Sequence, residues 1–140
     1  TGLPPSLMME PMMWYFLTGI LERHPNLKIV WVEPGLFWIP GFLEFLDRRM
    51  HQHYNFPGVK ELPSTYWKRQ MAVTFVDEPE AVNNRYELGI ENLLWSTDFP
   101  HPCCNWPNAQ AKVAEMFKDM PEEETDKITW GNGARMYGFA

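Results

Sequence analysis

Three short apolar runs constrain this chain more than any other feature, because an acid stands at or just beyond the end of each. They are Leu27–Val32 before Glu33, Met71–Val76 before Asp77, and Leu93–Ser96 before Thr97 and Asp98. Runs this short and this rich in β-branched and aromatic residues read as strands. A near-continuous apolar strand is one buried on both faces, as in a parallel sheet. Ligands of α/β folds bind at the carboxyl ends of such strands. The acids therefore fall where a carboxylate can hold a cation or move a proton. The third run is the most telling, since Asp98 is followed by Phe99, Pro100 and His101. A plainer alternative stands beside it: Asp-Phe-Pro is also a turn in which Asp98 does no more than cap backbone N–H groups.

Helical periods separate the strands. Met9, Met12, Met13, Phe16, Leu17, Ile20 and Leu21 form one stripe, which predicts a helix with Pro11 in its first turn and an end at His24-Pro25-Asn26. The methionines in it read as core filler, because a thioether metal site needs clustered sulfur without a helical period. Further helices are predicted from Trp38 to about His51, near Pro63–Arg69, over Glu78–Leu88 with Gly89 as its stop, from Asn105, and over Pro121–Trp130, broken by Gly131-Asn132-Gly133. Strands alternating with helices give βαβ units and a parallel sheet. Three parallel strands leave two open edges, and a parallel sheet must be covered or closed. A closed (β/α)8 barrel takes roughly 250 residues. The 140 residues of this chain therefore suit the closing part of such a barrel.

The chain is 45% hydrophobic and 15% aromatic, which suits a packed core. Twelve Lys and Arg against eighteen Asp and Glu give a net charge of −6, which argues against nucleic acid as a partner. No apolar run nears the roughly 18 residues of a membrane helix. The two cysteines, Cys103 and Cys104, are adjacent. Neighbours seldom bridge each other, so free thiols and a reducing, cytoplasmic compartment are expected.

Three segments together resemble the carboxyl-terminal part of the amidohydrolase-related proteins, metal-dependent TIM barrels that include aminocarboxymuconate-semialdehyde decarboxylase and its relatives. They are Gly19–Val30 with Glu33-Pro34-Gly35 and Trp38-Ile39-Pro40, then Trp95–His101, then Gly131–Phe139. The resemblance covers nearly the whole chain, as one partial domain over residues 1–140. It implies that the three strands are barrel strands six, seven and eight, and that Asp98 is the carboxylate metal ligand after the last. Zinc is the divalent ion expected. Glu33 stands where many members carry a histidine, although a subgroup with Glu-x-Gly has a carboxylate there. The family's paired histidines after the first strand, and another after the fifth, are expected upstream of Thr1.

Two functional readings follow. In the first, this is the closing portion of a metal-dependent hydrolase or non-oxidative decarboxylase acting on a small organic acid, with Asp98, Glu33 and His101 as its candidate catalytic residues. The chain alone, with one metal-binding carboxylate, is then expected to be inactive. In the second, it is a degenerate, non-catalytic barrel piece that assembles through its open edges. Either reading expects a homo-oligomer or pairing with the missing barrel portion.

The other candidates carry plainer readings. His51 and His53 mimic the family's metal pair, but two residues apart on a helix they point about 200° apart. His24 reads as a helix-end residue. His101 either touches substrate, orients Asp98, or bonds backbone in its loop. Arg48 and Arg49 either pair with Asp47 or a neighbouring subunit, hold a substrate carboxylate, or lie on a solvated face. Cys103 and Cys104 lack the second pair of a zinc site. Trp38 and Trp106 are placed to line a pocket for a planar substrate, while Trp14, Trp67 and Trp130 read as core or interface.

Overall fold

A computed structural model describes residues 5–52 and 56–139. Its strands are β1 (Ile29–Trp31), β2 (Met71–Phe75) and β3 (Leu93–Trp95). They form one parallel sheet in the order β1-β2-β3. Val30 lies opposite Ala72, and Thr74 opposite Leu94. The fold is thus α/β with a small parallel sheet, and β1 and β3 are its edges among the described residues.

Side chains alternate across a strand, so each face takes every second residue. Trp31, Met71, Val73, Phe75 and Leu93 turn to one face and enter the main hydrophobic core with Met12, Phe16, Leu21, Leu43, Trp67, Leu88 and Ile128. Val30, Ala72, Thr74 and Leu94 alternate to the other face, outside that core. The buried indoles are satisfied as well as packed. Trp67 Nε1 donates to Leu88 O at 2.7 Å, and Trp38 Nε1 to Pro34 O at 2.9 Å.

The helices around the sheet follow the sequence pattern, with four corrections. The first stripe is divided into α1 (Ser6–Leu17) and α2 (Ile20–Arg23). Gly19 between them takes a positive φ of 71°, and a Cβ there would stand 2.9 Å from Gly58 O. The break thus needs glycine. Because α1 starts at Ser6, Pro11 sits inside it, on an exposed face, and not in its first turn.

Next come α3 (Ile39–Gln52) and α4 (Pro63–Gln70), close to expectation; Asp47 Oδ1 accepts from Ser64 N at 3.0 Å and so caps α4. The predicted helix after β2 is split at Asn84 into α5 (Pro79–Asn83) and α6 (Arg85–Leu88). Beyond β3 come α7 (Ala109–Met116) and α8 (Glu122–Asp126), a π turn at Lys127–Gly131, and α9 (Asn132–Tyr137). The Gly-Asn-Gly triplet therefore does not end the helix. Asn132 is buried at its centre and donates from Nδ2 to Ile90 O at 2.7 Å and Leu93 O at 2.9 Å, which anchors the run to the start of β3.

Candidate functional site

The three strands end side by side, so the acids that follow them gather at one rim. Glu33 comes two residues after β1, Asp77 two after β2, and Asp98 three after β3. A concavity of about 400 Å³ opens there, lined by Glu33, Asp77, Glu78 and Asp98 with Pro34, Gly35, Phe37, Val76 and Cys103 among others. Among the described residues no lysine or arginine lines it. Phe37, 73% exposed, is the aromatic wall of this pocket.

Glu33 and Asp98 share an unusual backbone state, with φ of 53° and 56°. Left-handed conformations are uncommon outside glycine, and they cluster where function demands a particular geometry. At Glu33 the turn is pinned by one hydroxyl on the central strand. Thr74 Oγ1 accepts from Glu33 N at 2.9 Å and donates to Glu33 Oε1 at 2.8 Å. At Asp98 the backbone N–H donates to Ser96 Oγ at 3.1 Å. The Ser96 hydroxyl is also near enough to the Glu33 carboxyl to favour its ionised form.

Burial is the largest influence on Glu33 and pushes its carboxyl above the ordinary range. The Thr74 and Ser96 hydroxyls oppose that rise, while the charges of Asp98 and Glu78 add to it. Burial also raises Glu78, against the hydrogen bond its Oε2 accepts from Leu36 N at 2.8 Å. Burial thus acts in the same direction on two of the rim carboxyls, and perturbed groups of this kind cluster at functional sites.

The loop after Asp98 folds back on itself. His101 N donates to Asp98 O at 2.8 Å, Cys104 N to His101 O at 3.0 Å, and Asn105 N to Thr97 O at 3.1 Å. His101 Nδ1 comes to 3.3 Å from Asp98 Oδ2, the separation of an ion pair, yet this buried nitrogen is not aligned for a hydrogen bond. Asn105 Nδ2 is likewise buried without a hydrogen-bond partner. Phe99 and Trp106 pack edge to face at 5.8 Å above the loop, each preceding a proline in cis linkage.

Several residues singled out in the sequence lie elsewhere. Trp38 is buried in the core and does not line the pocket, because its indole turns back to Pro34 O; Phe37 takes the place expected of it. Trp106 is 64% exposed on the loop. Trp67 is core as expected, whereas Trp14 and Trp130 are largely exposed. Arg48 pairs with Glu44 one turn earlier on α3, and Arg49 lies over the Phe45 ring at 5.2 Å, both away from the rim. His24 ends α2 and is exposed. His51 is exposed near the end of α3, and His53 falls outside the described residues. Cys103 and Cys104 are free thiols, the first on the pocket wall. Thr74 and Ser96 were not foreseen in the sequence; the one signal was a hydroxyl residue within an otherwise apolar strand end.

The donor set suits a hard divalent cation in part. Asp98 offers a mostly buried carboxylate whose backbone is fixed by Ser96, and carboxylate oxygen suits manganese, magnesium or zinc. Among the described residues no three His, Cys, Asp or Glu converge on one point, and a transition-metal site usually needs at least about three protein ligands. None of the helices formed by the described residues is long and apolar enough to cross a membrane.

No curated protein matches the chain. Solved structures do. A 5-carboxyvanillate decarboxylase from Sphingomonas paucimobilis is 26% identical, with a TM-score of 0.75, over 94% of this chain and 39% of that one. A dihydroxybenzoic acid decarboxylase from Polaromonas sp. JS666, with bound manganese and the inhibitor 2-nitroresorcinol, is 19% identical, with a TM-score of 0.78, over 96% of this chain and 41% of the other. An amidohydrolase from Mycobacterium avium subsp. paratuberculosis K-10 is 19% identical, with a TM-score of 0.82, over 96% and 34%. The chain thus spans about two fifths or less of the length of these proteins. The amidohydrolase family model matches residues 1–139, and the chain belongs to that family.

Proposed function

We propose that this chain, residues 1–140, supplies strands six, seven and eight of a (β/α)8 barrel in a metal-dependent enzyme that decarboxylates a small aromatic acid without oxidation. The observation that carries the reading is that Asp98 and Glu33 line one pocket on the same rim, both in left-handed backbone. The choice of decarboxylation over hydrolysis rests on the 26% identity with 5-carboxyvanillate decarboxylase.

Asp98 is the proposed metal ligand of this chain, and the remaining ligands belong to the part of the barrel outside it. When bound, a divalent ion supplies Lewis acidity toward the substrate's oxygen atoms. Zinc and manganese both suit a carboxylate ligand, and a manganese-bound neighbour supports manganese as a candidate. Glu33, whose carboxyl burial pushes above the ordinary range, is assigned as the group that passes a proton to the ring carbon as the carboxyl group leaves as carbon dioxide. His101 orients Asp98 from 3.3 Å. Phe37 offers a face for the planar ring, and the closed loop after Asp98 limits water. Edges β1 and β3 pair with the rest of the barrel. The free thiols Cys103 and Cys104 suit a cytoplasmic setting.

The test is turnover by the intact protein loaded with Mn²⁺ or Zn²⁺, offered 2,6-dihydroxybenzoate and 5-carboxyvanillate and followed by release of carbon dioxide. The reading expects release from at least one, and a fall on the order of 10²-fold or more in Glu33→Gln, the usual contribution of a proton-transfer group. No release from either acid, or an unimpaired Glu33→Gln variant, contradicts it.

A further inference from the structure

Glu33 does not hold its own position. It lies beyond the end of β1, in a left-handed turn that a non-glycine residue adopts only when its surroundings impose it. Burial pushes its carboxyl toward the neutral state, and Asp98 and Glu78 add like charge. What opposes these is mainly one side chain on another strand.

Thr74 is the next-to-last residue of β2, on the face opposite the main core. Its single hydroxyl is used in both senses: it accepts from Glu33 N at 2.9 Å and donates to Glu33 Oε1 at 2.8 Å. The backbone and the carboxylate of the same residue are thereby tied to one oxygen. A hydroxyl carries one proton and accepts through its lone pairs, so serine can keep both hydrogen bonds and valine, of similar shape, removes both. Valine would also leave the Glu33 N–H without its partner.

We propose that Thr74 is a positioning residue of this site: it fixes the Glu33 carboxylate at the rim beside Asp98, acting through Glu33 and not on substrate. The proposal rests on the reading of Glu33 as the proton donor. Ser96, the residue just after β3, holds the other acid, its hydroxyl accepting from Asp98 N at 3.1 Å.

The intact protein carrying Thr74→Val or Thr74→Ser tests this, read by the ¹³C titration of the Glu33 carboxyl and by exchange of the Glu33 amide. The proposal expects Thr74→Val to move the Glu33 midpoint further up and to speed amide exchange roughly tenfold, the factor one net hydrogen bond implies. Thr74→Ser should restore both. A merely structural role would not produce that rescue together with the shifted midpoint. A valine variant with wild-type midpoint and exchange overturns the proposal. In an active enzyme kcat should fall in Thr74→Val, with KM within about twofold. An unimpaired Glu33→Gln would instead contradict the parent reading, and the titration would still decide whether Thr74 holds Glu33.

Discussion

The two ends of the sheet handle polar groups in opposite ways. At the amino-terminal end, three amides are buried and saturated. Gln70 donates to His24 O and Leu27 O, Asn92 to Trp67 O, Lys68 O and Met71 O, and Asn132 to Ile90 O and Leu93 O. Each ties off backbone carbonyls that a loop would otherwise leave unpaired inside the protein. At the carboxyl-terminal end, acids crowd a pocket that no lysine or arginine among the described residues lines, two of the acids in left-handed backbone, and a buried imidazole nitrogen is left without a hydrogen bond. One end spends its polar groups on stability. The other gathers carboxyl groups and leaves the nitrogens His101 Nδ1 and Asn105 Nδ2 buried without hydrogen bonds.

The comparison breaks most readily at Asn92. Asn92→Ala removes three hydrogen bonds at once and strands their carbonyls, so the expected cost is about 3 kcal/mol of unfolding free energy, measured by urea denaturation. The rim should be untouched if the two ends are independent, so the Glu33 titration should not move. A loss under about 1 kcal/mol would mean that water replaces the amide and that this end is not the dry anchor described.

Glu78 sharpens the contrast with a smaller effect of opposite sign. Its carboxyl is raised by burial, so ionising it weighs on the folded state. For a group whose folded value lies above the unfolded one, the stabilising contribution is complete at low pH and lost as pH rises through the folded value. Glu78→Gln keeps an acceptor for Leu36 N and removes the charge. It should raise Tm by about 2 °C at pH 7, with the gain shrinking as pH falls and wild-type Glu78 takes up its proton. A variant less stable than wild type at pH 7 would show that the charge is welcome there.

How much of this was legible in the sequence follows from which forces are local. Three apolar runs gave the strands and their ends, because β-branched periodicity and the acids after it are properties of adjacent residues. Asp98 and Glu33 were visible for the same reason. Helix ends fared worse. Gly19 divides the first stripe because Gly58 O approaches it, and Gly131–Gly133 stay helical because Asn132 reaches across to Ile90 and Leu93. Both depend on partners about 40 residues away. Thr74 stayed hidden because a threonine in a strand is ordinary until the register sets it under Glu33. Trp38 was misread for the converse reason: it follows a strand end in sequence, but its indole turns inward and Phe37 faces the pocket.

The most direct test of the central claim is native mass spectrometry of the intact protein from its source, wild type beside Asp98→Ala. The account predicts about one divalent ion per chain in the wild type and its loss in the variant, with the circular dichroism spectrum unchanged. A wild-type protein that carries no ion, or a folded variant that keeps it, would contradict the assignment of Asp98 as a metal ligand and with it the proposed enzyme.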